Sequence, residues 1–406
     1  MPLNIDKGLA GTVAADTALS FIDGAKGVLE YAGYDIDSLA RNSTFEESTW
    51  LLWNGRLPSA AELAAFTASL QACSDLDPRL IELIRGIPKT TAPMDALRTS
   101  VSALGHFDPE ADDNSLEANR RKALRLVART PALIAVFDRL RKGKPLVAPD
   151  RSLSVAGNFL WMLTGARPTA AMERALDVCL VLHADHGLNA STFAARVTIA
   201  TQSDLYSAAT TAVGTLKGPL HGGANQEVME MLLEIGDLSK VDGYIKEKLA
   251  RKERIMGFGH RVYKAYDPRA TYLKTFAKQV ASDTGNLALY EMSRRIEEIV
   301  LAQPNLIEKG IFPNVDFYSA TTYYSLGLDL DLFTCVFAAS RMSGWTGHCI
   351  EQLAANKLIR PHADYTGPHG LRYAPIGERA VSATSSTIPS ARQAMSVAAG
   401  SNASSM

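Results

Sequence analysis

A chain of 406 residues with 47% hydrophobic side chains can bury a substantial core, and a large domain with a smaller one is its natural division. Its 42 Lys and Arg against 43 Asp and Glu leave a formal net charge of −1, so no global field draws it to nucleic acid or a membrane, and any anionic ligand must be held locally. Cys73, Cys179, Cys335 and Cys349 are scattered without a CxxC pair and read as reduced thiols. With no signal-peptide pattern and no apolar run of bilayer length, they point to a cytoplasmic location.

From the N-terminus, Leu19-Ser20-Phe21-Ile22 and Gly27-Val28-Leu29-Glu30-Tyr31 lean towards strands, with Asp23-Gly24 as a hairpin signal between them. Thr44-Phe45-Glu46-Glu47 reads as a capping box opening a helix that stops at Gly55, and Ser59-Ala60-Ala61-Glu62 opens the next. Apolar residues at three- and four-residue intervals predict helices around 79–86, 95–104, 114–142, 153–164 and 168–183. The Ala, Ser and Thr of Asp204 to Val213 suit close packing against another helix or subunit.

Glycine and proline then become denser around short helices at 225–235, 241–251, 269–283 and 288–302. A long helix from about 331 to 357 follows. The expected organisation is mainly α, with a small N-terminal β element: 1–217 and 327–379 form the large domain, 218–326 a small domain carrying the active-site loops, and 380–406 a disordered tail.

Chemistry concentrates in three interruptions of helical sequence. Gly218-Pro219-Leu220-His221-Gly222-Gly223-Ala224-Asn225 places a histidine between glycines and Gly257-Phe258-Gly259-His260-Arg261 places one directly after a glycine pair, where a small molecule can approach the backbone. Asp316 follows Pro313-Asn314-Val315; alone it reads as a helix cap, and in company with the histidines as a general base. Arg269, Arg341 and Arg360 stand in unusual contexts, and Arg341 interrupts an apolar helix, so it needs a buried anion or a ligand.

Lys264 and Lys309 lie beside two of these loops and could meet phosphates. His183 and His186, three apart at a helix end, could share a zinc ion, but no third ligand stands near and no metal is expected. Gly257-Phe258-Gly259 is not a dinucleotide fingerprint.

With His183-Ala184-Asp185-His186-Gly187-Leu188-Asn189-Ala190-Ser191-Thr192, the two glycine-rich histidine loops, Asp267-Pro268-Arg269 and Pro313-Asn314-Val315-Asp316 in one order, the chain resembles the citrate synthase family. The likeness runs from about Gly8 to Arg379 and is to the short bacterial and archaeal form, which includes 2-methylcitrate synthases. It implies a helical homodimer whose small domain closes over oxaloacetate and completes an acyl-CoA site, a citrate synthase using acetyl-CoA with a 2-methylcitrate synthase using propionyl-CoA as the alternative, and no further cofactor.

By the same resemblance, Asp316 removes a proton from the acyl α-carbon, His221 hydrogen-bonds the thioester oxygen, and His260 protonates the oxaloacetate carbonyl. His186, Arg269 and Arg341 hold oxaloacetate, and Arg360 reaches in from the partner subunit. Met256, Gly257, Phe258, Gly259 and Asn314, with Lys264 and Lys309, line the CoA site. Lys264 stands where some relatives carry arginine, and His362 where the family often has another. A catalytically silent assembly protein on the same fold is the competing reading, against which the retained acid–base set argues.

Overall fold

Three short strands open the fold: β1 (Ser20–Asp23), β2 (Val28–Tyr31) and β3 (Tyr34–Asp35), antiparallel in that order. The computed structural model describes residue 6, residues 8 and 9, and residues 11–379; the 380–406 segment, expected to be disordered, lies outside the described residues. Ser20 pairs with Tyr31 and Asp23 with Val28, so the predicted hairpin forms with a four-residue tip rather than a two-residue turn. The Asp23 carboxylate accepts from the Ala25 and Lys26 amides and so nucleates that wider turn. β3 has no counterpart in the sequence reading.

Seventeen α-helices follow among the described residues. Those before the first histidine loop are α1 (Ile36–Asn42), α2 (Phe45–Asn54), α3 (Ala60–Ala72), α4 (Pro78–Arg85), α5 (Pro93–Leu104), α6 (Leu116–Arg141), α7 (Val155–Thr164), α8 (Ala170–His183), α9 (Ala190–Ile199) and α10 (Leu205–Leu216). After it come α11 (Ala224–Ile235), α12 (Val241–Ala250), α13 (Pro268–Asp283), α14 (Leu287–Leu301), α15 (Pro304–Ile307), α16 (Val315–Ser325) and α17 (Phe333–Ala354).

Caps explain why so many ends fall where the sequence places them. Thr44 accepts from the Glu47 amide at the start of α2, Ser59 and Glu62 form a reciprocal capping box on α3, and Gly55 ends α2 in the left-handed region. The last helix is shorter than predicted. Residues 355–357 leave it because the Asn356 side chain turns back, donating to the Ala200 carbonyl and accepting from Gln352.

Three packing relations position the site. α10 lies against α9 and α5 with Ala208, Ala209 and Ala212 buried, the close helix contact its small residues suggest. α13 packs on α16. α17 runs through the core against α6, α8 and α9, and no side chain from Phe333 to Ile350 is exposed.

The hairpin tip adds a further anchor. A Cβ on Gly24 would sit 2.2 Å from the Val262 carbonyl oxygen, and the Lys264 amide donates to the Gly24 carbonyl, so the strands brace the loop that carries His260. Residues 360–379 belong to a separate terminal unit, in which Arg379 covers the Tyr373 ring and the Tyr365 hydroxyl donates to the Pro368 carbonyl.

Candidate active site

His221 sits in a turn closed by its own amide donating to the Gly218 carbonyl, and Thr334 ties the adjoining Gly222 carbonyl to α17. The Ser191 amide, at the start of α9, donates to Nε2 of His221 at 3.2 Å, and the Ser191 hydroxyl lies 2.8 Å from the same nitrogen. An acceptor Nε2 puts the proton of the neutral ring on Nδ1. Burial, reinforced by Arg341, pushes the His221 pKa down to about 4. The positive end of α9 acts in the same direction. His221 is therefore a neutral hydrogen-bond donor at working pH.

His260 is built on the same plan with the nitrogens exchanged. Its Nδ1 accepts from the Val262 and Tyr263 amides at 3.0 and 3.1 Å, which leaves the proton on Nε2. Burial, then Arg269, pushes its pKa to about 4. Its ring packs 5.4 Å from that of His186, whose Nε2 is 3.1 Å from the Tyr263 hydroxyl. His186 too is held well below its ordinary pKa by burial, with Arg269 next in effect.

His183 and His186 do not share a helical face. α8 ends at His183, the Tyr31 hydroxyl pins the following turn at Asp185, and Gly187 completes it at φ +55°. His183 Nδ1 bonds the Cys179 carbonyl inside α8 while His186 turns to Tyr263. Among the described residues no group of three or more His, Cys, Asp or Glu is placed to hold a metal ion.

Asp267-Pro268-Arg269 is a helix start. Asp267 caps α13, Pro268 takes the first turn where a missing N–H does no harm, and Arg269 folds back on Asp267 through Nε at 3.0 Å and Nη2 at 2.8 Å. Asp267 also accepts from the Val315 amide and so joins α13 to the start of α16. Arg341 differs. It is 1% exposed, its Nε donates to the His183 carbonyl at 2.6 Å, and it forms no ion pair with any described residue. Burial lowers its pKa to about 10.

Asp316 is not the cap of its helix. Asn314 is, accepting the Asp316 amide at 3.0 Å, so the carboxyl group is left without a capping task. No described residue donates a hydrogen bond to it. Burial raises its pKa to about 6, against the pull of Arg269. The charge of Arg341 reaches His221, His186 and Asp316, and that of Arg269 reaches His186, His260 and Asp316, so the two guanidinium groups act on one overlapping set of titratable residues.

The second loop lies along the start of α16. Phe258 bridges to Pro313, the Asn314 amide donates to the Gly257 carbonyl, and the Asn314 side chain donates to that of Gly259. Gly257 has φ +81° and a Cβ there would lie 2.7 Å from Phe317, so only glycine fits. Met256 is half-buried, and Gly259 has open space where its Cβ would be. Lys264 and Lys309 are exposed, and Gly310 brings their segments together, since its Cβ would meet the Lys264 backbone at 2.9 Å. Arg360 is exposed and belongs to the terminal unit.

Sequence reasoning passed over four supports: Ser191, Tyr263, Asp267 and Trp345, whose indole N–H holds the Ser191 hydroxyl at 3.1 Å. Ser191, Tyr263 and Asp267 stand inside the motifs, and their polar groups close to functional residues were the available signal. Trp345 carries none beyond being aromatic.

Neutral histidines, an unpaired buried cation and a carboxyl with a raised pKa are the parts with which an enzyme can hold an anion and move protons beside it. The family described as citrate synthase, C-terminal domain, matches residues 8–362. Citrate synthase 2 of Bacillus subtilis is 51% identical over 92% of this chain and 99% of its own, and 2-methylcitrate synthase of Mycobacterium tuberculosis is 44% identical over 90% and 91%. Citrate synthase from the thermophilic archaeon Thermoplasma acidophilum, solved as a ternary complex with carboxymethyl coenzyme A and oxaloacetate, superposes with a TM-score of 0.86 at 35% identity over 92% of this chain and 99% of that one. The chain belongs to the citrate synthase family, and it is an acyltransferase.

Proposed function

We propose that His221, His260 and Asp316 carry the citrate synthase reaction of this chain, in which acetyl-CoA, oxaloacetate and water give citrate and CoA. Asp316 takes a proton from the acyl α-carbon. Its pKa near 6 leaves it ionised at neutral pH yet more basic than an ordinary aspartate. His221 donates from Nδ1 to the thioester oxygen as charge develops there, a term that often exceeds proton abstraction itself. The α-carbon attacks the oxaloacetate carbonyl while His260 supplies a proton from Nε2, and hydrolysis of the resulting citryl-CoA releases CoA and citrate.

Arg269, Arg341 and His186 hold the oxaloacetate carboxylates, joined by Arg360 from the second subunit of a homodimer. Met256, Gly257, Phe258, Gly259 and Asn314 receive the CoA, with Lys264 and Lys309 near its phosphates. Residues 218–326 act as the small domain that closes over oxaloacetate and keeps water from the thioester until the intermediate exists. A cytoplasmic location agrees with three fully buried free thiols, Cys179, Cys335 and Cys349.

The observation that carries this reading is Arg341, a buried cation with no carboxylate of its own beside two neutral histidines and a raised aspartate. The test is CoA release from acetyl-CoA and from propionyl-CoA, each with and without oxaloacetate. Oxaloacetate-dependent release is expected, faster with acetyl-CoA; release indifferent to oxaloacetate overturns the reading. The Mycobacterium tuberculosis relative keeps propionyl-CoA as the second donor to try. Discrimination over one methylene is worth only about 1–3 kcal/mol.

A further inference from the structure

Arg341 is not the only buried charge beside the turn that carries His186. Asp185, next in the chain, is fully buried, and its carboxylate accepts from the Ser20 hydroxyl at 2.5 Å and the Gly187 amide at 3.1 Å. Both donors are neutral, and a buried carboxylate held by neutral donors alone is strongly disfavoured. Two cations are within reach. Arg341 has its Nε engaged with the His183 carbonyl. His348, also fully buried, places Nε2 3.2 Å from one Asp185 oxygen and 3.3 Å from the other.

His348 follows Arg341 by seven residues on α17, two turns on and only about 20° round, so both look towards the end of α8. Its Nδ1 side meets Glu351 at 3.7 Å and Arg196 of α9 at 3.4 Å. Arg196 is already engaged, with Glu351 at 2.7 Å and with Gln352 at 3.0 Å. The groups that meet His348 are thus Asp185 from the α8 turn, Arg196 from α9 and Glu351 from its own helix, while the Ser20 hydroxyl and the charge of Arg341 act on Asp185. Once Glu351 and Arg196 are paired, Asp185 is the carboxylate still in need of a charge.

We propose that His348 is the buried counter-ion of Asp185, and that by neutralising it His348 leaves the charge of Arg341 to hold a substrate carboxylate. The proposal rests on the oxaloacetate site described above. Burial pulls the proton off His348, but Asp185 outweighs it with help from Glu351, and the pKa of His348 lies above its ordinary value. The opposite arrangement has a neutral His348 donating to Asp185 and accepting from Arg196; Asp185 then stays negative and weakens the hold of Arg341 on an anion. His348 touches no substrate and acts as a positioning residue.

The test compares His348→Gln, Asp185→Asn/His348→Gln and Arg341→Leu in the full chain, by calorimetric titration with oxaloacetate and by steady-state kinetics. His348→Gln is expected to weaken oxaloacetate binding about tenfold, with kcat falling less than KM rises. The double variant is expected to recover most of that affinity, because it removes the stranded carboxylate together with its counter-ion. Wild-type affinity in His348→Gln, or a double variant no better than the single one, overturns the proposal.

Arg341→Leu separates the two levels. If it binds oxaloacetate like the wild type, the substrate site itself is wrong; if it binds weakly while His348→Gln is unaffected, only the counter-ion falls. Should His348→Gln not fold, histidine-selective nitrogen NMR of the wild-type enzyme at about pH 7.5 decides the matter. A buried imidazolium is expected, and eight neutral rings overturn the proposal.

Discussion

The start of α13 and the middle of α17 each bury an arginine, and they use it differently. Arg269, 2% exposed, is locked to Asp267, which also receives the Arg269 and Val315 amides. Arg341, 1% exposed, has a main-chain carbonyl and no carboxylate. The aspartates divide in the same way. Burial would raise Asp267, but Arg269 outweighs it and its pKa is lowered, whereas Asp316 receives no hydrogen bond and burial lifts it to about 6. Charges that the chain completes itself frame the site; charges left incomplete are the ones that, in the proposed reaction, a substrate completes.

The largest test of that division is Asp316→Asn. Loss of the base should lower kcat by about 10³-fold. The thermal midpoint should stay level or rise, because the removed charge is one that burial disfavours. Activity near wild type would remove Asp316 from the incomplete class.

Arg269→Leu and Arg341→Leu sharpen the contrast. The first strands a buried Asp267 and should cost about 3–5 kcal/mol in urea unfolding. The second leaves only the His183 carbonyl without a donor and strands no charged partner, so it should cost less than half as much, while weakening oxaloacetate by about 100-fold. Equal losses of stability would erase the distinction.

The two aspartates should also part with pH. As the proposed base Asp316 acts ionised, so kcat/KM should fall on acidification with an apparent pKa of about 6. Asp267 has a lowered folded pKa, so its contribution to stability is present above the unfolded value of about 3.9 and is lost only as pH falls through the folded one. Near pH 5, activity should be largely gone while circular dichroism still reports a folded chain; coincident loss would make the activity limb one of unfolding. The smallest effect belongs to exposed Lys264. Lys264→Ala should raise the acyl-CoA KM about two- to threefold at low salt and hardly at all at high salt.

Much of the candidate site was legible because its residues sit where helices must stop or start. Glycines flank His221 and precede His260, a proline and a capping asparagine precede Asp316, and an aspartate and a proline precede Arg269, so local chain physics marks each position. Arg341 was legible for the opposite reason, as a charge inside an apolar helix. The shared face imagined for His183 and His186 failed because Tyr31, more than 150 positions away, pins Asp185 and ends α8 between them.

The sequence by itself determined the helices, their caps, the breaks between them and which side chains could move protons or bind anions, since these depend on residues within a turn or two of one another. Only the tertiary structure decided which nitrogen of each histidine carries the proton, which arginine is already paired and which carboxyl is raised. Those properties follow from amides, carboxylates and burial supplied by segments remote in the chain. Ser191 beside His221, Asp267 beside Val315 and His348 beside Asp185 meet only when the helices pack, and that meeting fixes the charge each group carries.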